Sequence, residues 1–283
     1  MPRFAGLMTR RSGCEIEKFP YPPAPMIKNR ERILRNLAIC LLLFCSRAAA
    51  VGTNPQAEML VVQGDAAVKA MHSPEALALF QQAAKLDPGN ADILLRISQQ
   101  YSNLIGQAKS PEEGLDDAKQ SLDAAKQAVA AAPDNPKAHL ALSVAYGRMT
   151  DFDDNRTKIE DSRLVKSEAE KTLLLNPRED IAYHVLGRWN YGVATLNPVL
   201  KLIARFIYGG MPDASLEEAV KDYQKAIAIA PQRVIHHAEL ARTYTAMGNT
   251  DDARKEWETV LTLKPDDNES LNDEKEAREA LGR

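Results

Sequence analysis

Five prolines, Pro88, Pro133, Pro177, Pro231 and Pro265, each follow an apolar run with helical spacing, and the residues at fixed distances before them recur. Twelve positions back stand Ala76, Ser121, Val165, Ala219 and Ala253; eight back, Phe80, Ala125, Ala169, Tyr223 and Trp257; five back, Ala83, Ala128, Thr172, Ala226 and Val260. Proline cannot donate an amide hydrogen and its ring clashes with the preceding turn, so each marks a helix end. A chain punctuated in this way is built from small helical units that bury their apolar faces only by stacking on one another.

The residues after the first four prolines are in phase too. Nine on are Ile97, Leu142, Leu186 and Leu240; ten on, Ser98, Ser143, Gly187 and Ala241; thirteen on, Tyr101, Tyr146, Asn190 and Tyr244. Large apolar, small, then tyrosine is the first-helix pattern of a tetratricopeptide unit, in which the small residue lets the two helices touch. Gly64 takes the small position in a first, weaker unit, whose second helix should open with Ser73 as N-cap and Pro74 behind it. The expected fold is all-α: a right-handed solenoid of about five such helix pairs over residues 57–283.

The prolines are 45, 44, 54 and 34 residues apart, and only the last spacing equals the standard 34. The excess in units two and three predicts long second helices, the first of them opened by a capping box at Ser110-Pro111-Glu112-Glu113. The excess in unit four is an insertion over 196–212. It holds an amphipathic helix with Val199, Leu200, Leu202, Ile203, Phe206 and Ile207, interrupted by Lys201 and Arg205 and stopped at Gly209-Gly210 and Pro212. Two fates are open to it: folding back on the solenoid, or docking on a membrane or partner. Ser215 and Glu218 restart the scaffold, and residues 268–282 form a C-terminal capping helix, with Leu271 and Ala277 expected inside and its acids in solvent.

Charge divides the chain. Residues 1–50 carry nine Lys/Arg against three acids, whereas the net charge of the whole is −3. The body is therefore acidic, which argues against a nucleic-acid partner. Within the head, Lys28, Arg30, Arg32 and Arg35 precede an apolar run from Leu37 to Cys45 and then Ala48-Ala49-Ala50. That order predicts a signal peptide over 1–50, cleaved after Ala50, and an exported, periplasmic or secreted protein. Met26 stands where such a peptide ordinarily begins. Nine apolar residues rise roughly 14 Å as a helix, about half of a bilayer core, so a spanning anchor is disfavoured; a short uncleaved anchor is the alternative. All three cysteines lie in this head, so the repeats offer no disulfide or thiolate metal site.

The run Tyr183-His184-Val185-Leu186-Gly187-Arg188-Trp189, then Leu202 to Gly209 with Pro212, then Glu217-Glu218-Ala219, resembles the regulator of microtubule dynamics family. The resemblance covers residues 130–265 through these motifs and 57–130 through the repeat alone. It implies a tetratricopeptide-like fold with an inserted apolar helix, and in animals an association with microtubules, mitochondria and membrane contacts. The signal-like head departs from the family and implies an exported bacterial relative.

Catalytic signatures are missing from the sequence: it holds no G-x-S-x-G, H-E-x-x-H, P-loop or dinucleotide fingerprint. We therefore expect no enzyme, no cofactor and no metal. His139 and His237 fall at core positions, and the adjacent His236 and His237 point to different helix faces, a poor metal pair. The first helices of stacked repeats line the usual ligand groove. In this register the groove presents Gln99, Asn103, Arg148, His184, Arg188, Tyr191 and Arg242. Three arginines in an acidic body suit a protein or peptide ligand of anionic character, bound through paired hydrogen bonds. Ile235 and Glu239 occupy positions where a chaperone-type carboxylate clamp would place basic residues. Membrane contact through the insertion is the second expectation.

Overall fold

The computed structural model describes residues 54–209, 213–265 and 268–283. The predicted signal segment lies outside them, as do Gly210 and Pro212 of the expected helix stop. Twelve helices run through the described residues: α1 (Pro55–Lys69), α2 (Ser73–Leu86), α3 (Ala91–Ile105), α4 (Pro111–Ala131), α5 (Pro136–Met149), α6 (Asn155–Leu175), α7 (Asp180–Ala194), α8 (Pro198–Tyr208), α9 (Leu216–Ile229), α10 (Val234–Ala246), α11 (Thr250–Val260) and α12 (Asn268–Ala280). Each helix except α8 packs on its neighbours along the chain, giving five hairpins α1/α2, α3/α4, α5/α6, α7/α9 and α10/α11 in an α-solenoid, with α12 lying on α10 and α11. The fourth hairpin closes around α8, which leans on α6 instead.

Local chemistry sets the helix ends. The residues before the first four register prolines, Asp87, Ala132, Asn176 and Ala230, leave the helical region with φ between −131 and −142° and ψ between 71 and 94°. Proline's Cδ excludes the α conformation from its predecessor, so the second helix of each unit stops at the same point. Asn54, Asn90, Asn135, Asp154, Asn197 and Asn249 then cap helices by accepting from free amides of the first turn. At Ser110 the hydroxyl accepts from the Glu113 amide at 3.2 Å, while the Glu113 carboxylate accepts from the Lys109 amide at 2.7 Å. Ser73 departs from expectation: it lies in the first turn of α2, buried, and His72 at the cap position makes no side-chain capping hydrogen bond. The long second helices are present, α4 and α6 having 21 residues each.

Close approach explains the small-residue signature. A Cβ at Gly64 would lie 2.3 Å from Phe80 Cε1, and one at Gly187 2.7 Å from Tyr223 Cε1. The aromatic ring of the second helix fills the space that the missing side chain leaves on the first. Units two and three carry Ala125 and Ala169 in place of the ring, and seryl hydroxyls mediate the contact: Ser121 Oγ donates to the Ser98 carbonyl at 3.0 Å, and Ser143 Oγ to the Val165 carbonyl at 2.7 Å. Adjacent units are joined by a recurring tie in which Gln81 Nε2 donates to Tyr101 Oη at 2.8 Å and Gln224 Nε2 to Tyr244 Oη at 3.4 Å. The two core histidines repeat as well. His139 bridges the Pro133 carbonyl (2.8 Å) and Glu168 (2.6 Å), and His237 bridges the Pro231 carbonyl (3.0 Å) and Glu256 (2.7 Å).

The insertion and the cap complete the described fold. α8 has 11 residues and ends at Gly209 in the left-handed region (φ 70°). One side of it touches α6, through buried Ala204 and a 2.7 Å hydrogen bond between Tyr208 Oη and Ser162 Oγ. Its other side leaves Val199, Leu202 and Phe206 in solvent, Phe206 with 91% of its surface exposed. In α12 the buried residues are Ser270, Asp273 and Ala277, whereas Leu271, expected inside, is exposed. Leu271 and Ala277 are six residues apart, about 120° around a helix, so both cannot face inward.

Candidate partner-binding groove

Arg148 near the end of α5, Arg188 in α7 and Arg242 in α10 come from three successive first helices, as the register requires, and they converge on one row of acids. Glu269, in the first turn of α12, reaches Arg148 (Nη2 to Oε2, 3.0 Å) and Arg188 (Nη1 to Oε1, 3.8 Å). One turn on, Asp273 Oδ1 accepts from Arg242 Nη2 at 2.6 Å, and Glu276 accepts from Arg242 Nε at 3.2 Å. Glu239 on the same helix as Arg242 adds a 3.2 Å bond, and the guanidinium lies 5.6 Å from the centre of the Trp257 ring. Positions 269, 273 and 276 fall within about 60° of one another around a helix. Glu269, Asp273 and Glu276 of α12 therefore form a row facing the arginines, while Glu279 lies in solvent as expected of a cap.

The electrostatics follow from this packing. Burial works against the charge of Arg242, yet Glu276, Asp273 and Glu239 outweigh it and hold its pKa above the ordinary arginine value. Burial likewise opposes charge on Arg188, and Glu239 and Glu269 raise it overall. Burial pushes Glu269 up, but Arg148 and Arg188 bring it below the usual carboxylate range. Asp273 goes the other way: its desolvation exceeds the help from Arg242, and its second oxygen has no hydrogen-bond partner among the described residues.

The remaining predicted groove residues divide. Gln99 is exposed and donates to Asn103 Oδ1 at 3.0 Å, so these two form a polar pair of their own on α3. His184 does not line the groove. It is buried, with its ring 5.6 Å from Tyr223 edge-on and Nδ1 3.1 Å from Nδ1 of His236. The second helix of its unit and the first helix of the next close over it. Tyr191 is half-buried and packs on the Ala219–Tyr223–Leu240 cluster. His236 Nε2 lies 2.9 Å from Asp180, which also pairs with Arg233 at 2.7 Å. A carboxylate accepts only, so His236 carries its proton on Nε2 and accepts at Nδ1 from Nδ1–H of a neutral His184. Burial, then the proximity of His236 and of the Arg188 guanidinium, hold His184 well below the ordinary histidine pKa. Among the described residues, no group of three or more His, Cys, Asp or Glu is arranged to hold a metal ion, and no helix is long and apolar enough to cross a membrane.

Known proteins match both the sequence and the fold. The family model described as Regulator of microtubule dynamics protein 1-3 matches residues 60–283. Regulator of microtubule dynamics protein 2 of Mus musculus is 23% identical over 98% of this chain and 62% of its own length; protein 1 of the same species is 24% identical over 72% of this chain and 67% of its own. The chain thus spans about two thirds of these relatives. A thermophilic tetratricopeptide protein of Thermus thermophilus, solved as a crystal structure, superposes with a TM-score of 0.60 at 19% identity, covering 80% of this chain and all of the other, a likeness of fold. With a repeat, an insertion and a cap that the family model spans almost end to end, the chain belongs to the regulator of microtubule dynamics protein 1-3 family.

Proposed function

We propose that this protein is a non-enzymatic scaffold that holds an acidic segment of a protein partner against Arg148, Arg188 and Arg242. The observation that carries the reading is the convergence of three guanidiniums, from three separate repeats, on a single line of carboxylates. Fork-shaped guanidiniums bind carboxylates in pairs, and a row of them selects an extended or helical acidic ligand. Arg188 keeps half of its side-chain surface open, which leaves room for a partner's oxygen. A photo-crosslinking residue in place of Asp151, exposed and close enough for its charge to act on Arg188, should capture a discrete partner in native cells, while one in place of Leu174, 83% exposed on α6, should not. Equal capture at both positions, or none from the groove, removes this reading.

A second reading is favoured by α8. Val199, Leu202 and Phe206 make an exposed apolar stripe flanked by exposed Lys201 and Arg205, which suits the interface of an anionic bilayer. The purified chain should float with vesicles containing phosphatidylserine, and a Leu202→Ser/Phe206→Ser variant should stay in solution; flotation unchanged by those substitutions sinks the idea. The relatives' names carry regulation of microtubules to this chain as a third proposal, which depends on compartment. N-terminal sequencing of mature protein decides that, since cleavage after Ala50 accords with export.

A further inference from the structure

The groove is filled by the chain's own C-terminal helix, and the way in which it is filled describes what the groove takes. α12 contributes one fully buried apolar side chain, Ala277, with Leu281 partly buried behind it. Its other inward contacts are polar: Glu269 on Arg148 and Arg188, Asp273 and Glu276 on Arg242. Glu269 and Glu276 each keep 46% of their side-chain surface, whereas Asp273 is buried against Arg242, where its desolvation offsets much of the attraction. Exposed ion pairs contribute little each and weaken with salt. A helix held in this way by charge, with little apolar anchorage, is a cap that can leave.

We propose that α12 is an intramolecular stand-in for the partner, and that the groove's ligand is an acidic helix with carboxylates at positions i, i+4 and i+7, which binds by displacing α12 from Arg148, Arg188 and Arg242. The inference rests on the scaffold reading above and deepens it by naming the ligand. The spacing is that of Glu269, Asp273 and Glu276, and the charge complement is three arginines from three repeats. The same geometry explains why Leu271 faces solvent: the inward face of α12 is matched to guanidiniums and not to an apolar core. A tethered helix competes at an effective concentration in the millimolar range, so it keeps weak acidic ligands out and admits those that engage all three arginines.

The test uses the full chain and a fluorescein-labelled peptide with the sequence of residues 268–283. The protein variant Glu269→Gln/Asp273→Asn/Glu276→Gln keeps the shape of α12 and removes the three carboxylates that face the arginines. Fluorescence anisotropy should show the peptide binding this variant at least tenfold more tightly than the wild type. Binding should be lost when the peptide carries the same three amides, or when Arg188→Ala and Arg242→Ala are added to the variant. Equal binding to variant and wild type, or binding indifferent to the peptide's carboxylates, overturns the proposal. Hydrogen exchange of the wild-type chain gives a readout that requires no variant to fold: α12 amides should exchange faster than those of α10 and accelerate as salt rises from about 50 to 500 mM. Protection of α12 that matches α10 and ignores salt shows a permanent cap and also overturns it. If these experiments fail while a partner still crosslinks in the groove, the scaffold reading survives without this ligand; if both fail, the groove itself is not a binding site.

Discussion

Gly187 and Gly192 occupy the same helix five residues apart and should respond to alanine in opposite directions. At Gly187 the added methyl would sit 2.7 Å from the Tyr223 ring, whereas at Gly192 it would meet nothing within 4 Å. Gly187→Ala should therefore destabilise by about 1–3 kcal/mol, the usual cost of overfilling a packed contact, and Gly192→Ala should stabilise by about 0.5–1 kcal/mol, from helix propensity alone. Urea denaturation of both variants checks the pair, and a Gly187→Ala variant as stable as the wild type would contradict the close approach. Histidines make the second residue-scale case. Burial lowers the pKa of both His184 and His236 in the folded state, so the unfolded chain takes up protons first as pH falls below about 6.5. Stability from these groups is complete above that pH and declines below it. Burial also opposes charge on His237, but Glu256 and the Pro231 carbonyl raise its pKa overall, so its contribution runs the other way, present at low pH and lost as pH rises through its folded value. Wild-type stability measured from pH 7.5 to 5 should fall more steeply than that of His184→Gln, and parallel curves would show that the buried pair does not govern acid sensitivity. His139 and His237 were legible as core residues because they stand at a fixed offset from the register prolines. The burial of His184 was not, since its covering partner, His236, is 52 positions away and no periodicity links the two.

At the scale of elements, the proline register revealed the five hairpins because every stop has the same local cause, the conformational demand that proline places on its predecessor. The long α4 and α6 followed from simple residue counting. The face of α12 did not, because a row of acids on a terminal helix has the same composition whether it meets solvent or arginine; only the angle between positions 269, 273 and 276 distinguishes the two, and it becomes informative once α12 is placed against Arg242. α8 was legible as an amphipathic helix, and of the two expected fates the structure shows packing on α6 by one side, with an apolar stripe left exposed on the other. Because the α7/α9 contact, with Tyr223 over Gly187, is made without α8, replacing residues 196–214 by a short Gly/Ser linker should leave the helical content of the remaining repeats intact. Circular dichroism should show a loss confined to the deleted helix, with a lower melting temperature from the lost Tyr208–Ser162 bond and Ala204 burial. Collapse of the whole helical signal would mean that the insertion is part of the scaffold.

At the scale of the molecule, each hairpin contacts mainly its neighbours, so stability is approximately a sum of unit terms and interface terms, and damage stays near where it is made. Gly64 and Gly187 offer a matched comparison, since both make the same close approach to an aromatic ring but stand at different places in the stack. Gly64→Ala strikes the first of the described hairpins, which among the described residues has a neighbour on one side. Native-state hydrogen exchange should then show faster exchange in α1 and α2 and little change in α7, α9 and α10. Gly187→Ala strikes the fourth of five hairpins and should loosen α7 and α9 together with the faces of α6 and α10 that pack on them. It should also spread Arg188 away from Arg148 and Arg242, because the three guanidiniums meet only if their three helices keep their spacing. The groove is thus a property of the stack and not of any one repeat, and it predicts that Gly187→Ala weakens acidic-helix binding without touching a single charged residue, while Gly64→Ala leaves it unchanged. Equal loss of binding in the two variants would show that the array melts as one body and that the arginine row has no local support.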